Sequence, residues 1–174
     1  MTICPDCGHE NIEGVDECAE CQQPLSPLDL PSPATELERS ILTDRIASLV
    51  PREPLMVDTD APVSIVLRLL VAHAVGCVIV MEDGEPVGIF SERDALLRLG
   101  ADAQQLGDQP ISNFMTPGPQ MLNIHDKIAY ALQRMDAGGY RHIPVTDDDR
   151  ITGIISVRDV LRYITGKLLV SQSV

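Results

Sequence analysis

An α/β (α+β) fold, made of two copies of one β-α-β-β-α unit and preceded by a small metal-held module, follows from three observations. The phrase Gly88-Ile89-Phe90-Ser91-Glu92-Arg93-Asp94 returns as Gly153-Ile154-Ile155-Ser156-Val157-Arg158-Asp159, sixty-five positions later, with Gly, Ser, Arg and Asp in register. Around each copy, helical apolar spacing and short β-type apolar runs follow the same order. Four of the five cysteines fall in the first twenty-one residues as two C-x-x-C pairs. The repeat fixes the architecture, because each copy must be one supersecondary unit.

In the first copy, Asp60-Ala61-Pro62 places a cap and a first-turn proline before Val63, Val66, Leu67 and Leu70, which share a helical face. Cys77-Val78-Ile79-Val80 and Val87-Gly88-Ile89-Phe90 flank Glu82-Asp83-Gly84-Glu85 and predict a hairpin. Ser91 then opens a helix through Ala95, Leu96 and Leu99. In the second copy Ile128, Ala131, Leu132 and Met135 line a helix that ends at Gly138-Gly139. Strands at 142–145 and 151–155 surround Asp147-Asp148-Asp149, and Val160, Leu161 and Ile164 face inward on the last helix. Leading strands are expected near residues 55–57 and 121–124. A unit this small cannot bury both faces of its sheet, so two copies pack sheet against sheet with pseudo-two-fold symmetry.

Four segments result. Residues 1–23 are the Cys-rich module, 24–35 a linker with four prolines, 36–104 the first repeat and 105–174 the second. Residues 36–49, with Leu37, Ile41, Ile46 and Leu49, read as a lead-in helix docking on the first repeat.

Of the 174 residues, 44% are hydrophobic, enough for a core, yet only 3% are aromatic and none is Trp. The core must rest on Leu, Ile and Val. A net charge of −13 repels polyanions, which disfavours broad binding to nucleic acid or anionic membrane. No apolar stretch is long enough to span a bilayer, and the opening residues lack a charged-then-apolar leader pattern. The expected location is cytoplasmic, where paired C-x-x-C motifs favour metal over disulfides.

The repeated phrase has two physical readings. Ser-x-x-Asp before an apolar-periodic stretch is a capping box, in which hydroxyl and carboxylate satisfy N–H groups at a helix start, with the Gly marking a close backbone approach. The same geometry suits a nucleotide. A helix N-terminus with a Ser hydroxyl favours phosphate, Asp94 or Asp159 can accept from both hydroxyls of a ribose, and Arg93 or Arg158 supplies positive charge. Its duplication in register favours the second reading.

These residues resemble a tandem pair of cystathionine-β-synthase (CBS) domains, a Bateman module, over about residues 36–168. The signature is Gly, two apolar residues, Ser or Thr, two variable residues and Asp. Arg141-His142-Ile143-Pro144-Val145 and Phe114-Met115-Thr116-Pro117 also match the family. The resemblance implies a regulatory, non-catalytic module that binds an adenine nucleotide (AMP, ADP, ATP or an adenosyl derivative) in two clefts and modulates a protein partner. Asp94 and Asp159 would each hold a ribose, while Ser91, Arg93, Ser156 and Arg158 face phosphates. Backbone near residues 55–57 and 120–122 would border adenine. Arg141 and His142 would meet phosphate in one cleft, where the first repeat has Gly76-Cys77, so the sites should differ in affinity. His142 should make part of that affinity pH-dependent near neutrality, or it is a packing histidine. Cys77 reads as core, and His73 and His125 as surface residues. The resemblance also implies a flat, disc-like homodimer formed through helices.

Cys4-Pro5-Asp6-Cys7-Gly8 and Cys18-Ala19-Glu20-Cys21 supply four thiolates at structural-zinc spacing and resemble a zinc ribbon. A rubredoxin-like iron site or two disulfides use the same residues, and His9 is a spare ligand. A closed Cys₄ site (Cys4, Cys7, Cys18, Cys21) leaves no position for catalysis at Zn²⁺. The alternative function is a transcription or nucleic-acid-associated factor acting through the ribbon. Residues 1–23 contain no Lys or Arg and six acidic residues, which argues against it.

Overall fold

A computed structural model describes residues 2–4, 7, 9–12, 15–23, 25 and 33–171. The proline linker predicted at 24–35 lies largely outside the described residues. The chain divides into two compact units, Met1–Ser40 and Ile41–Val174. In the first, β1 (Thr2–Ile3) pairs antiparallel with β2 (Glu10–Asn11). Helix α1 (Glu36–Thr43) leads into the second, followed by a 3₁₀ turn at Ile46–Leu49.

The first repeat runs β3 (Met56–Asp58), α2 (Val63–His73), β4 (Cys77–Glu82) and β5 (Glu85–Ser91), as predicted. Strands β3 and β4 are parallel, which the α2 crossover makes possible, and β4–β5 is a hairpin. Its two-residue turn places Asp83 and Gly84 at φ 51° and 86°; the equivalent Asp148 and Asp149 sit at 46° and 60°. Positive φ at both central residues matches the twist of the strands. A short helix α3 (Glu92–Asp94) then widens into a π-helical turn at Ala95–Leu99 rather than continuing as the expected α-helix. That turn buries Leu99 while leaving Leu96 and Leu97 exposed. Strand β6 (Thr116–Pro117) pairs with β5.

The second repeat follows with β7 (Leu122–Asn123), α4 (Ile128–Gly138), β8 (His142–Asp147), β9 (Arg150–Ser156) and α5 (Val157–Ser171). Its β7–β8–β9 order reproduces β3–β4–β5. On α5, Val160 is buried and Ile164 packs against the core, but Leu161 is 56% exposed and does not face inward.

Each repeat has its own core, and each core takes a piece from the other repeat. Val63, Val66, Leu70, Val78, Val80 and Phe90 surround Ile111, which belongs to the lead-in of the second repeat. Ile128, Ala131, Met135, Ile143, Val145 and Ile155 surround Ile46 and Leu49, from the lead-in of the first. The lead-in predicted to dock on the first repeat therefore packs, through Ile41, Ile46 and Leu49, on the second. The backbone bonds are reciprocal under a shift of sixty-five residues. Ile46 N–H donates to Asp126 O at 2.8 Å and Ile111 N–H to Ala61 O at 2.9 Å. Ile128 N–H donates to Asp44 O at 3.0 Å and Val63 N–H to Gln109 O at 2.9 Å. These last bonds replace the side-chain cap expected at α2, where Pro62 itself is the N-cap residue and Asp60 plays no part.

The exchange also explains the signature glycines. A Cβ at Gly153 would lie 2.5 Å from Pro51 Cβ, and one at Gly88 would collide with Met115. Both neighbours belong to the crossing segments, so the glycine is required where the other repeat's lead-in passes over the strand.

Candidate functional site

The predicted capping box forms. Ser91 N–H and Oγ–H donate to Asp94 Oδ2 at 2.9 and 2.6 Å, and Asp94 N–H returns to Ser91 Oγ at 3.3 Å. In the second copy Ser156 N–H and Oγ–H donate to Asp159 Oδ2 at 2.8 and 2.6 Å. Each serine hydroxyl thus donates its proton to its own aspartate, while Oδ1 of each carboxylate points to a different environment. Local capping and ligand chemistry divide one carboxylate between them.

Asp94 Oδ1 faces a cavity of about 290 Å³ that both repeats line. Ser91, Arg93 and Arg98 come from the first repeat's helix start, and Arg141 and His142 from the second repeat at the start of β8. The basic pair of the second repeat therefore lies beside the aspartate of the first, and it also lines the cavity at Ser156 and Arg158. Weak contacts hold Oδ1: Thr116 Oγ1 at 3.3 Å and Arg98 Nε at 3.4 Å. Arg98 reaches over the cleft because the π turn carries it there, donating to Phe114 O at 2.7 Å, Thr116 Oγ1 at 2.9 Å and Met115 O.

Asp159 itself lines a narrow cleft of about 60 Å³ with Ser156, Arg158, Gly76 and Cys77, while Ser156 and Arg158 also line a cavity of about 350 Å³ with Arg141 and His142. Asp159 is buried, and its Oδ1 accepts from Arg52 at 3.1 Å and Arg162 at 3.0 Å. Burial alone would raise this carboxyl; the Ser156 hydrogen bonds and the Arg52 and Arg162 guanidiniums outweigh it and hold it below 3.8. The stabilisation is present above the ordinary carboxylate range and is lost only as pH falls through that lowered value.

His142 lies where the two clefts meet and lines both. Its ring occupies the space a side chain at Gly76 would need, since a Cβ there would be 2.7 Å from Nε2. Burial pushes its pKa below 6.5, Glu92 and Asp159 oppose that, and Arg158 and Arg141 add to it. At neutral pH the ring is uncharged, so pH dependence moves to the acid side of the predicted window. A group that binds its proton less readily when folded stabilises the fold fully above 6.5 and loses that contribution as pH falls below it. The denaturation midpoint should therefore drop between pH 7.5 and 5.5. His142→Gln should flatten that drop, and an unchanged slope would exclude His142 as its source.

Of the other predicted residues, Leu55 borders the Asp159 cleft, while residues 120–122 do not line the Asp94 cavity. Cys77 is core, with burial, helped by Glu92 and Asp94, pushing its thiol up to about 12. His73 and His125 are exposed. The sequence reading missed Arg52, Arg98, Thr116 and Arg162. Arg98 and Arg162 follow their aspartates by four and three positions on a helix, a readable signal. Thr116 and Arg52 become visible only once the lead-ins are known to cross.

In the N-terminal unit, Cys4, Cys7, Cys18 and Cys21 present sulfurs that all lie within 4.8 Å of one another. Cys4–Cys21 and Cys7–Cys18 are 3.6 Å apart, too far for disulfides and close to the roughly 3.8 Å edge of a tetrahedron with 2.3 Å metal–sulfur bonds. Backbone N–H groups of Cys21 and Glu20, with the Asn11 amide 3.6 Å from Sγ, hold the Cys18 thiol at about 6 despite burial. At Cys21 the Gln23 N–H acts in the same direction, but burial and the neighbouring sulfurs win and push it to about 12. Four thiolates at this spacing would need a cation among them to offset their mutual repulsion. The donor set fits a soft tetrahedral metal.

The model of the CBS domain matches residues 46–101 and 111–166, together more than half of the chain. The chain belongs to the CBS-domain family. Both matches begin at the exchanged isoleucines, Ile46 and Ile111. Among similar proteins, a mitochondrial CBS-domain-containing protein of Arabidopsis thaliana is 29% identical over 61% of this chain and 54% of its own. The chain spans about half, or less, of the length of the first curated relatives it matches. A CBS-domain-containing protein of Agrobacterium tumefaciens is 28% identical, with a TM-score of 0.62 over 68% of this chain and 94% of its own. A CBS-domain protein of Pyrobaculum aerophilum, solved complexed with AMP, is 27% identical, with a TM-score of 0.61 over 72% and 98%. The tandem CBS architecture expected from the doubled phrase is the one found. No helix among the described residues is long and apolar enough to cross a membrane.

Proposed function

We propose that this CBS pair is a regulatory module that binds an adenine nucleotide in the Asp94 cleft and changes its contacts with a partner protein when it does so. The observation that carries this reading is the Asp94 cavity, where a carboxylate oxygen held only by long contacts faces Arg93, Arg98, Arg141 and His142. Ribose hydroxyls would donate to Asp94 Oδ1, displacing Thr116 and Arg98 from it, and the three arginines would take the phosphate. Such a gathering of cations in a chain of net charge −13 suits a small anion rather than a polyanion. The AMP complex of the Pyrobaculum relative supports the choice of adenine nucleotide.

Signalling follows from the cleft's construction. Asp94 belongs to one repeat and Arg141 and His142 to the other, so a bound nucleotide favours whichever packing of the repeats brings them together. Exposed Leu96, Leu97 and Leu161 support self-association as a homodimer. The Cys₄ cluster is proposed to hold structural zinc as a ribbon, with an acidic surface better suited to protein than to nucleic acid.

Native mass spectrometry of the full chain tests this, reporting bound nucleotide, metal and oligomeric mass together. AMP added at micromolar concentration should shift the protein mass and alter amide-exchange protection at 91–98 and 141–142. Absence of any AMP adduct, or binding with unchanged exchange, would remove the nucleotide or the sensing part respectively.

A further inference from the structure

The two clefts are built from one repeated phrase, yet only one has its aspartate accessible. We infer that Arg52 is the residue that decides which cleft takes a ligand: its guanidinium occupies the ribose-accepting oxygen of Asp159, so the chain binds one nucleotide, at Asp94. This rests on the nucleotide reading above and adds stoichiometry and selectivity to it.

Arg52 reaches Asp159 on the crossing segment. Its N–H donates to Ile154 O at 3.0 Å and its carbonyl accepts from Ile154 N–H at 2.9 Å, which fixes its backbone beside β9. From there its Nη2 lies 3.1 Å from Asp159 Oδ1, and Arg162 Nη1 lies 3.0 Å from the same oxygen. With Oδ2 accepting from the Ser156 N–H and hydroxyl, each oxygen of the carboxylate has two donors. The Asp159 side chain is 4% exposed, against 15% for Asp94.

By sheet pairing the counterpart of Arg52 is Thr116: Arg52 lies opposite Ile154, and Thr116 lies opposite Ile89, the equivalent residue of the first repeat, where it offers a neutral hydroxyl in place of a guanidinium. The counterpart of Arg162 is Leu97, which lines the open cavity. The asymmetry is therefore written in two substitutions between the repeats. A neutral ribose entering at Asp159 must replace two ion pairs at 3.1 and 3.0 Å with two neutral donors, which is unfavourable; at Asp94 it replaces one hydroxyl at 3.3 Å and one ion pair lengthened to 3.4 Å. Arg162 is carried by the same helix as Asp159 and does not line the cleft. Arg52 comes from the crossing segment and lines it, and at 55% side-chain exposure it can be removed without emptying a core position.

Calorimetric titration of the full chain with AMP tests this in wild type, Arg52→Ala and Arg52→Met, the last keeping the apolar stem should the alanine variant fold poorly. The expected result is one site in wild type, lost in Asp94→Ala and kept in Asp159→Ala. Both Arg52 variants should show two sites, the second lost on adding Asp159→Ala. Two sites in wild type, or one in the Arg52 variants, would overturn the role of Arg52 and leave the nucleotide reading standing. If wild type binds no AMP the nucleotide reading at Asp94 fails; binding gained in the Arg52 variants would then still uphold the closure, and none gained would overturn it.

Discussion

Asp94→Ala is expected to weaken AMP binding by about 100-fold or more. Two ribose hydroxyls donating to a carboxylate contribute on the order of 1.5–3 kcal/mol each, and the sum exceeds the roughly 1.4 kcal/mol that corresponds to tenfold. The same substitution also removes half of a capping box, because Asp94 Oδ2 accepts the Ser91 N–H and Oγ–H. A folding defect must therefore be separated from a binding defect. Ser91→Ala makes the separation: it deletes the hydroxyl bonds but leaves the Asp94 carboxylate in place. It should cost about 1 kcal/mol of stability, the usual size of a cap, and far less affinity than Asp94→Ala. Calorimetry with AMP and urea denaturation of both variants give the two quantities. Equal affinity losses in the two would mean that the aspartate acts through the helix start alone.

The sequence reveals those features whose chemistry is local. Ser91 and Asp94 are three residues apart, so their capping box could be read directly, as could the two-residue turns at Asp83-Gly84 and Asp148-Asp149. Strand and helix order followed from apolar spacing alone. What could not be read is where a segment goes after leaving its own repeat. Ile46 and Ile111 look like ordinary apolar residues, and nothing in their neighbourhoods says that each fills the other repeat's core. The same long-range fact hides Arg52, which is one hundred and seven positions from Asp159. It also brings Arg141 and His142 of the second repeat beside Asp94 of the first. The π turn at Ala95–Leu99 is hidden for a different reason: its apolar residues fit α spacing equally well, and Arg98's bonds to Phe114, Met115 and Thr116 accompany the wider turn.

The crossing lead-ins also link fold to function. Because Thr116 and Arg52 sit on the crossing segments, each cleft is bordered by chain from both repeats, and the identity of the crossing residue sets the state of the aspartate. A threonine at 3.3 Å leaves Asp94 available, whereas an arginine at 3.1 Å closes Asp159. Selectivity then needs no change in the signature phrase, which explains how two matching phrases arise with unequal clefts.

Removing metal from the N-terminal unit should unfold it while leaving the CBS pair intact. The buried residues described there are Cys4, Asn11, Cys18 and Ser40, which is no hydrophobic core, whereas the second unit has two apolar clusters of its own. A unit of this kind takes its folding free energy from ligation, with apparent values of about 10–16 kcal/mol for structural zinc. Cys18→Ser, or a strong chelator, should abolish amide protection in β1 and β2 and release one metal ion per chain. Thiol labelling gives an independent count. In the metal-loaded protein the four ligand sulfurs should resist modification, and Cys77 should resist it too, because burial keeps its thiol protonated at about 12. After chelation four thiols should react rapidly and Cys77 should remain inert until the CBS pair is denatured. Four rapidly reacting thiols before chelation would show that no metal is held. Four resistant thiols that yield to reductant rather than chelator would point to disulfides instead. Unchanged AMP affinity in Cys18→Ser would show that the cysteine module takes no part in reading the nucleotide.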